Sequence, residues 1–202
     1  MITQLDIFQK DPLKIPNSVS TPNGANAVAD VQNFVDLYEK EILIDGLGIE
    51  LYDLLVTEYA DLDNASQPIK DLVNGKEYTA NSLTVKWEGL KNYSFLPYYI
   101  YWKYIQEKQD VFTTLGVERP EGVNSAHASS VYRATDKYNE FLRKYQGVDQ
   151  APRVIHTSYG YGVDYQVSTS TIRSLYQYLN DNKADYPTFR FTMHYPLNSH
   201  GI

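Results

Sequence analysis

Ser94-Phe95-Leu96-Pro97-Tyr98-Tyr99-Ile100-Tyr101-Trp102-Lys103-Tyr104-Ile105 decides how this chain folds. Ser94 is placed to cap a helix by accepting a bond from a free N–H of the first turn. Pro97 falls inside that turn, where a missing N–H costs little. The residues that follow advance by about 100° each, so their rings and aliphatic groups occupy most of the helix circumference. Such a helix has to be covered on several sides. The plain reading is the central helix of a bundle. A second reading, compatible with the first, gives one of its faces to a neighbouring subunit, because Tyr and Trp keep a polar tip where burial is shared.

Working outward, the pattern is helical on both sides. Before it, Val28, Val31, Val35, Tyr38 and Ile42 recur at three- and four-residue steps and predict a helix over 27–44. Asp45-Gly46-Leu47-Gly48 stops it. A second helix is predicted over 49–59 with Leu51, Tyr52, Leu55 and Val56 inward, so the two form an antiparallel pair. Residues 68–73 make a short helix and Asn74-Gly75 a turn. Leu83, Val85 and Trp87 alternate with polar residues as a short extended piece. After the aromatic helix, a loop over 112–124 carries Thr113-Thr114-Leu115-Gly116-Val117. An amphipathic helix over 125–146 follows, with Ala134, Tyr138, Phe141 and Tyr145 on one face and Arg133, Lys137, Arg143 and Lys144 among the charges on the other.

The two ends read differently. Residues 1–26, rich in Pro, Asn, Ser and Thr, predict an extended arm whose Leu5, Ile7, Phe8, Leu13 and Ile15 need a surface, either the chain's own or a neighbour's. Residues 147–170 predict a β-hairpin-like excursion near 153–169 around Gly160-Tyr161-Gly162. A last helix is predicted over 171–179 with Ile172, Leu175, Tyr176 and Leu179 inward, then an extended tail in which Phe189, Phe191 and Met193 alternate with polar residues. The predicted fold is therefore mainly α: a small helical bundle in one domain of 202 residues, with an extended N-terminal arm, a hairpin-like insertion and an extended C-terminal tail.

Composition limits what this domain does. Its net charge of −7 disfavours a protein that grips nucleic acid. It has no Cys, which excludes disulfides and thiolate metal sites. His127, His156, His194 and His200 show no paired metal-ligand spacing. No nucleophile elbow or phosphate loop is present. Carboxylates such as Glu50, Asp53, Glu58, Asp61 and Asp63 read as a solvated face before they read as acid–base pairs. Neither a signal peptide nor a membrane span is visible, so synthesis in a cytoplasm is expected. No enzyme activity, cofactor or metal is expected. The 19 Tyr, by contrast, point to contact surfaces.

The order of these elements resembles a known family. Tyr38-Glu39-Lys40-Glu41-Ile42-Leu43-Ile44, a Gly break and Glu50-Leu51-Tyr52 come first. Trp87-Glu88-Gly89-Leu90, the Tyr-rich helix, Thr113-Thr114-Leu115-Gly116-Val117, and Asn124 to Ser130 leading into Tyr132, Lys137, Tyr138 and Asn139 come after. This resembles the head–tail connector (adaptor or head-completion) proteins of tailed bacteriophages, with crAss-like podophage ring proteins as the nearest type. The resemblance spans about residues 27–146. It implies a structural virion protein of the neck that forms a ring, usually of about twelve copies, under the portal protein. The ring would extend the channel through which DNA passes without specific binding, and would dock the next tail or ring protein. The residues nominated for subunit or partner contacts are Tyr98, Tyr99, Tyr101, Trp102, Thr113, Thr114, Gly116, Val117, Tyr159, Tyr161, Tyr165, Phe189, Phe191 and His194. Other readings are another tail-completion subunit, a carbohydrate- or peptide-binding module with an aromatic platform, or a hydrolase built on scattered carboxylates.

Overall fold

A computed structural model describes residues 2–15, 25–80, 82–92, 94–108, 111–113, 116–118, 130–147 and 172–196. Among them the chain is mainly helical, with six α-helices and two small antiparallel hairpins. The helices are α1 (Ala25–Leu47), α2 (Ile49–Tyr59), α3 (Gln67–Asn74), α4 (Phe95–Lys108), α5 (Ser130–Tyr145) and α6 (Leu175–Asp181). One hairpin pairs β1 (Lys76–Ala80) with β2 (Leu83–Trp87), and the other pairs β3 (Val111–Thr113) with β4 (Gly116–Glu118).

The aromatic helix takes the place its sequence demands. In α4, Phe95, Leu96 and Ile100 are fully buried, and Tyr98, Tyr99 and Tyr101 are 8%, 2% and 1% exposed. The cover comes from the chain itself: α5 packs along α4, α1 packs on it from elsewhere, and the N-terminal 3-10 turn Leu5–Gln9 closes another side. The amphipathic face of α5 meets it as expected, with Ala134, Tyr138, Phe141, Leu142 and Tyr145 all buried.

Two glycine joints hold this body in register. Gly48 separates α1 from α2 at φ +79, and a Cβ there would come within 2.8 Å of the Arg190 side chain, where the C-terminal tail crosses the joint. Gly75 and Gly89 face each other so closely that a Cβ on Gly89 would lie 2.4 Å from the Gly75 nitrogen. The close approach lets Leu90 and Lys91 donate their N–H groups to the carbonyls of Leu72 and Val73 at 3.1 Å each. Trp87 Nε1 donates to the same Leu72 carbonyl at 3.0 Å. The Trp87-Glu88-Gly89-Leu90 run is thus a clamp between β2 and the end of α3.

Several expectations change. Val56 is 53% exposed, because Leu51 and Leu55, with Tyr52 and Tyr59 partly buried beside them, set the face that α2 turns toward the core. The extended piece at Leu83–Trp87 has a partner in β1 that its neighbours' polarity concealed. Val111–Thr113 and Gly116–Glu118 pair as antiparallel strands, with Thr113 opposite Gly116 and Phe112 opposite Val117, where the sequence predicts a loop. The last helix starts four residues late, at Leu175. Ser174 caps it with a reciprocal Gln177 capping box, and Ile172 is left in a parallel bridge to Lys86, 37% exposed. The hairpin expected near 153–169 lies outside the described residues.

The described part of the N-terminal arm has its surface on its own body. Ile2, Ile7, Phe8, Leu13 and Ile15 are buried. Buried Glu39 on α1 accepts from the N–H groups of Ile2 and Thr3 at 2.8 and 2.7 Å. A charged acceptor roughly doubles the strength of such bonds, so the arm is tied down where it begins.

Candidate interaction surfaces

The nominated aromatics converge, but inward. Tyr99 stands at the centre: its ring lies 5.0 Å from Phe141, 5.5 Å from Trp102 and 6.3 Å from His194, and its hydroxyl donates to Glu41 at 2.6 Å. Burial raises the Tyr99 hydroxyl well above its usual pKa, and the Glu41 carboxylate adds to that. Tyr38, donating to Glu107, is raised to about 12, with burial the largest cause and Glu107 and Glu41 adding to it. Lys103 spans the outer edge, 4.8 Å from the Tyr38 ring centre and 3.4 Å from Glu41. That arrangement combines a cation–π contact with an ion pair.

Tyr98, Tyr99 and Tyr101 are therefore core residues, with no surface left to give a partner. Trp102 is half-buried, its ring 4.4 Å from Tyr138, and its Nε1 has no hydrogen-bond partner among the described residues. Thr113, Gly116 and Val117 sit in the β3–β4 hairpin. Thr114, Tyr159, Tyr161 and Tyr165 lie outside the described residues.

Phe189, Phe191 and His194 belong to a strap on the chain's own body, a correction to an arm reaching outward. Arg190 N–H donates to Leu47 O at 3.0 Å and Thr192 N–H to Asp45 O at 2.7 Å, capping the free carbonyls at the end of α1. Gln146 holds His194 from both sides, donating to its carbonyl at 2.8 Å and accepting its N–H at 2.9 Å. Phe191 stacks on Tyr145 at 4.4 Å, and the Tyr145 hydroxyl donates to Thr192 O. The His194 ring packs on Phe141 and Tyr145, with Nε2 3.3 Å from Asp45 Oδ2. Burial lowers the His194 pKa below 6.5, against the opposing pull of Asp45.

A second knot joins the first hairpin to α6. Trp87 stacks on Tyr178 at 5.2 Å and 13°. The Tyr178 and Tyr186 hydroxyls meet at 2.7 Å, and Tyr186 donates to Pro68 O. Arg173, 4% exposed, pairs with Asp181 at 3.1 Å. Beside it, Trp87, Glu88, Lys144 and Arg173 line a cavity of about 10 Å³, room for about one water. Burial lowers the Lys144 ammonium, and Glu88 at 3.8 Å opposes the shift. A substrate would not fit there. No His, Asp or Glu group among the described residues is arranged to hold a metal, and no helix among them is long and apolar enough to cross a membrane.

The surface left open lies elsewhere. Ile49, Leu54 and Val56 of α2 are 55%, 45% and 53% exposed. The sequence pattern did not nominate them, because Leu and Val in a helix read as core. The signal that finds them is the pairing of Ile49 with Val56, seven residues apart and off the Leu51–Leu55 stripe. No family model, curated protein or solved structure matches this chain.

Proposed function

We propose that the chain is a structural subunit of a tailed-phage neck, closing into a ring beneath the portal and extending the DNA channel. The observation that carries this reading is the order of elements over residues 27–146, from the Tyr38–Ile44 helix through Trp87-Glu88-Gly89-Leu90 to the Tyr-rich helix and Lys137-Tyr138-Asn139. Supporting it is the net charge of −7, which lets DNA phosphates pass without sticking. An acidic lumen repels phosphate over roughly 8–10 Å in physiological salt.

The ring contact is heterologous, so the two patches that meet must differ. With Tyr98, Tyr99 and Tyr101 buried, contact falls to exposed groups such as Tyr195, 73% exposed, and to the sequence-nominated Thr114, Tyr159, Tyr161 and Tyr165. Electron microscopy of the purified chain, alone and mixed with the portal protein of the same particle, tests the reading. Closed rings of about twelve copies on the portal are expected. A chain that stays monomeric with portal present, or that binds DNA tightly and salt-sensitively, overturns it.

A further inference from the structure

The outward side of α2 combines exposed aliphatics with one sign of charge. At about 100° per residue, Val56, Ile49, Asp53, Thr57, Glu50 and Leu54 fall in that order around an arc of about 160°. All six are exposed. The arc belongs to a longer run: from Glu41 to Ile69 there is no Lys or Arg, against Glu41, Asp45, Glu50, Asp53, Glu58, Asp61 and Asp63. Glu58 is engaged by Ser66 N–H and Oγ, and Glu41 by Tyr99 and Lys103. Glu50 and Asp53 have no cationic partner among the described residues. The cations near this helix stand at its two ends, Arg190 against Gly48 before the first turn, and Lys91 over the Tyr59 ring and Lys70 on the Asp63 carbonyl beyond the last.

Charge decides the occupant. A second copy docking α2 on α2 would set Glu50 and Asp53 against themselves, which is destabilising. A second copy offering its most cation-rich helix, α5, brings three of its four cations already paired: Lys137 with Asp136, Arg143 with Glu140, and Lys144 with Glu88. We infer that the exposed arc of α2 is a docking surface for a basic amphipathic helix of a different protein. Its apolar stripe would cover Ile49, Leu54 and Val56, and its Lys or Arg residues would face Glu50 and Asp53. This is helix-on-helix recognition with aliphatic anchors and a charged rim. It stands apart from the ring reading, since a monomer that binds such a helix leaves it intact.

The probe is a fluorescein-labelled 18-residue Leu/Lys peptide of amphipathic order, set against a scrambled peptide of the same composition that has no apolar face. Anisotropy with the full chain should show the amphipathic peptide binding at least about tenfold tighter. Both Ile49→Lys/Val56→Lys and Glu50→Gln/Asp53→Asn should weaken it about tenfold, while Leu83→Lys, at an exposed aliphatic on the β1–β2 hairpin, should not. Hydrogen exchange should slow at residues 49–57 when the peptide binds. These side chains are exposed, so the variants should fold, which circular dichroism checks. Equal binding of the two peptides, equal weakening by Leu83→Lys, or protection away from α2 overturns the inference. So does protection of 49–57 that grows with protein concentration alone, which would place a second copy there.

Discussion

α4 and α2 are both rich in apolar residues, and they use them in opposite ways. In α4 the rings of Tyr98, Tyr99 and Tyr101 are closed in by α5, α1 and the two chain ends. In α2, Leu51 and Leu55 face the body while Ile49, Leu54 and Val56 face out. Adhesive composition therefore does not locate an adhesive surface. A helix carrying rings all round draws its cover from its own chain first, because that cover costs no association entropy. Part of the apolar surface left over sits on α2, while Leu37 of α1, Leu83 of β2 and Tyr195 of the tail are exposed singly.

The largest test of this contrast is a pair of truncations. Phe141 is fully buried and lies 5.0 Å from both Tyr99 and Tyr145. Phe141→Ala should lower the unfolding free energy by about 3–5 kcal/mol, because the cavity cannot collapse among rings held on every side. Val56→Ala should change it by about 0.5 kcal/mol or less. Urea titration of both variants measures the difference. Similar losses at the two positions would mean that α2 is covered in solution.

Much of this fold could be read from the residues. The mainly helical class, the α1 and α2 spans to within about three residues, the all-round burial of α4 and the apolar face of α5 follow from periodicity, because each helix carries a run long enough to repeat its pattern. The misses share a cause: they are tertiary. β1 is half polar and earns its strand state from pairing with β2. Val56 has the right chemistry for a core and the wrong angle, which only the packing of Leu51 and Leu55 fixes. Tyr99 and Phe191 read as contacts in the sequence because ring-rich segments look adhesive. Nothing local says that Glu41 and Tyr145 wait in the same chain to receive them.

The next effect concerns the arm. Glu39 is buried and accepts two backbone N–H groups from Ile2 and Thr3. Glu39→Gln keeps the shape but turns an amide NH2 toward one of those donors. The loss should be about 1–3 kcal/mol, the cost of leaving buried polar groups unmatched. Cleavage within the first 15 residues should rise in limited proteolysis, sharpening the view that the arm uses its apolar residues at home. Unchanged stability with an intact arm would sever this link between Glu39 and the docked end.

The smallest effect tests the strap. His194 is held neutral by burial against Phe141 and Tyr145, with Asp45 and Glu41 favouring its charged form and Lys103 opposing it. Its native pKa lies below the 6.5 of the unfolded chain, so the unfolded state takes up the proton first as pH falls. The stability it contributes is full above about pH 6.5 and is lost on acidification toward the lowered native value, with stability rising with pH across that window. Thermal unfolding of the wild type and of His194→Gln, at matched pH between about 5.5 and 7.5, isolates it from the remaining histidines. The wild type should lose more stability than the variant on going to the acid end. If instead it gains, the Asp45 ion pair outweighs the ring packing, and the strap is fastened by charge and not by the aromatic contacts that hold α4 and α5 together.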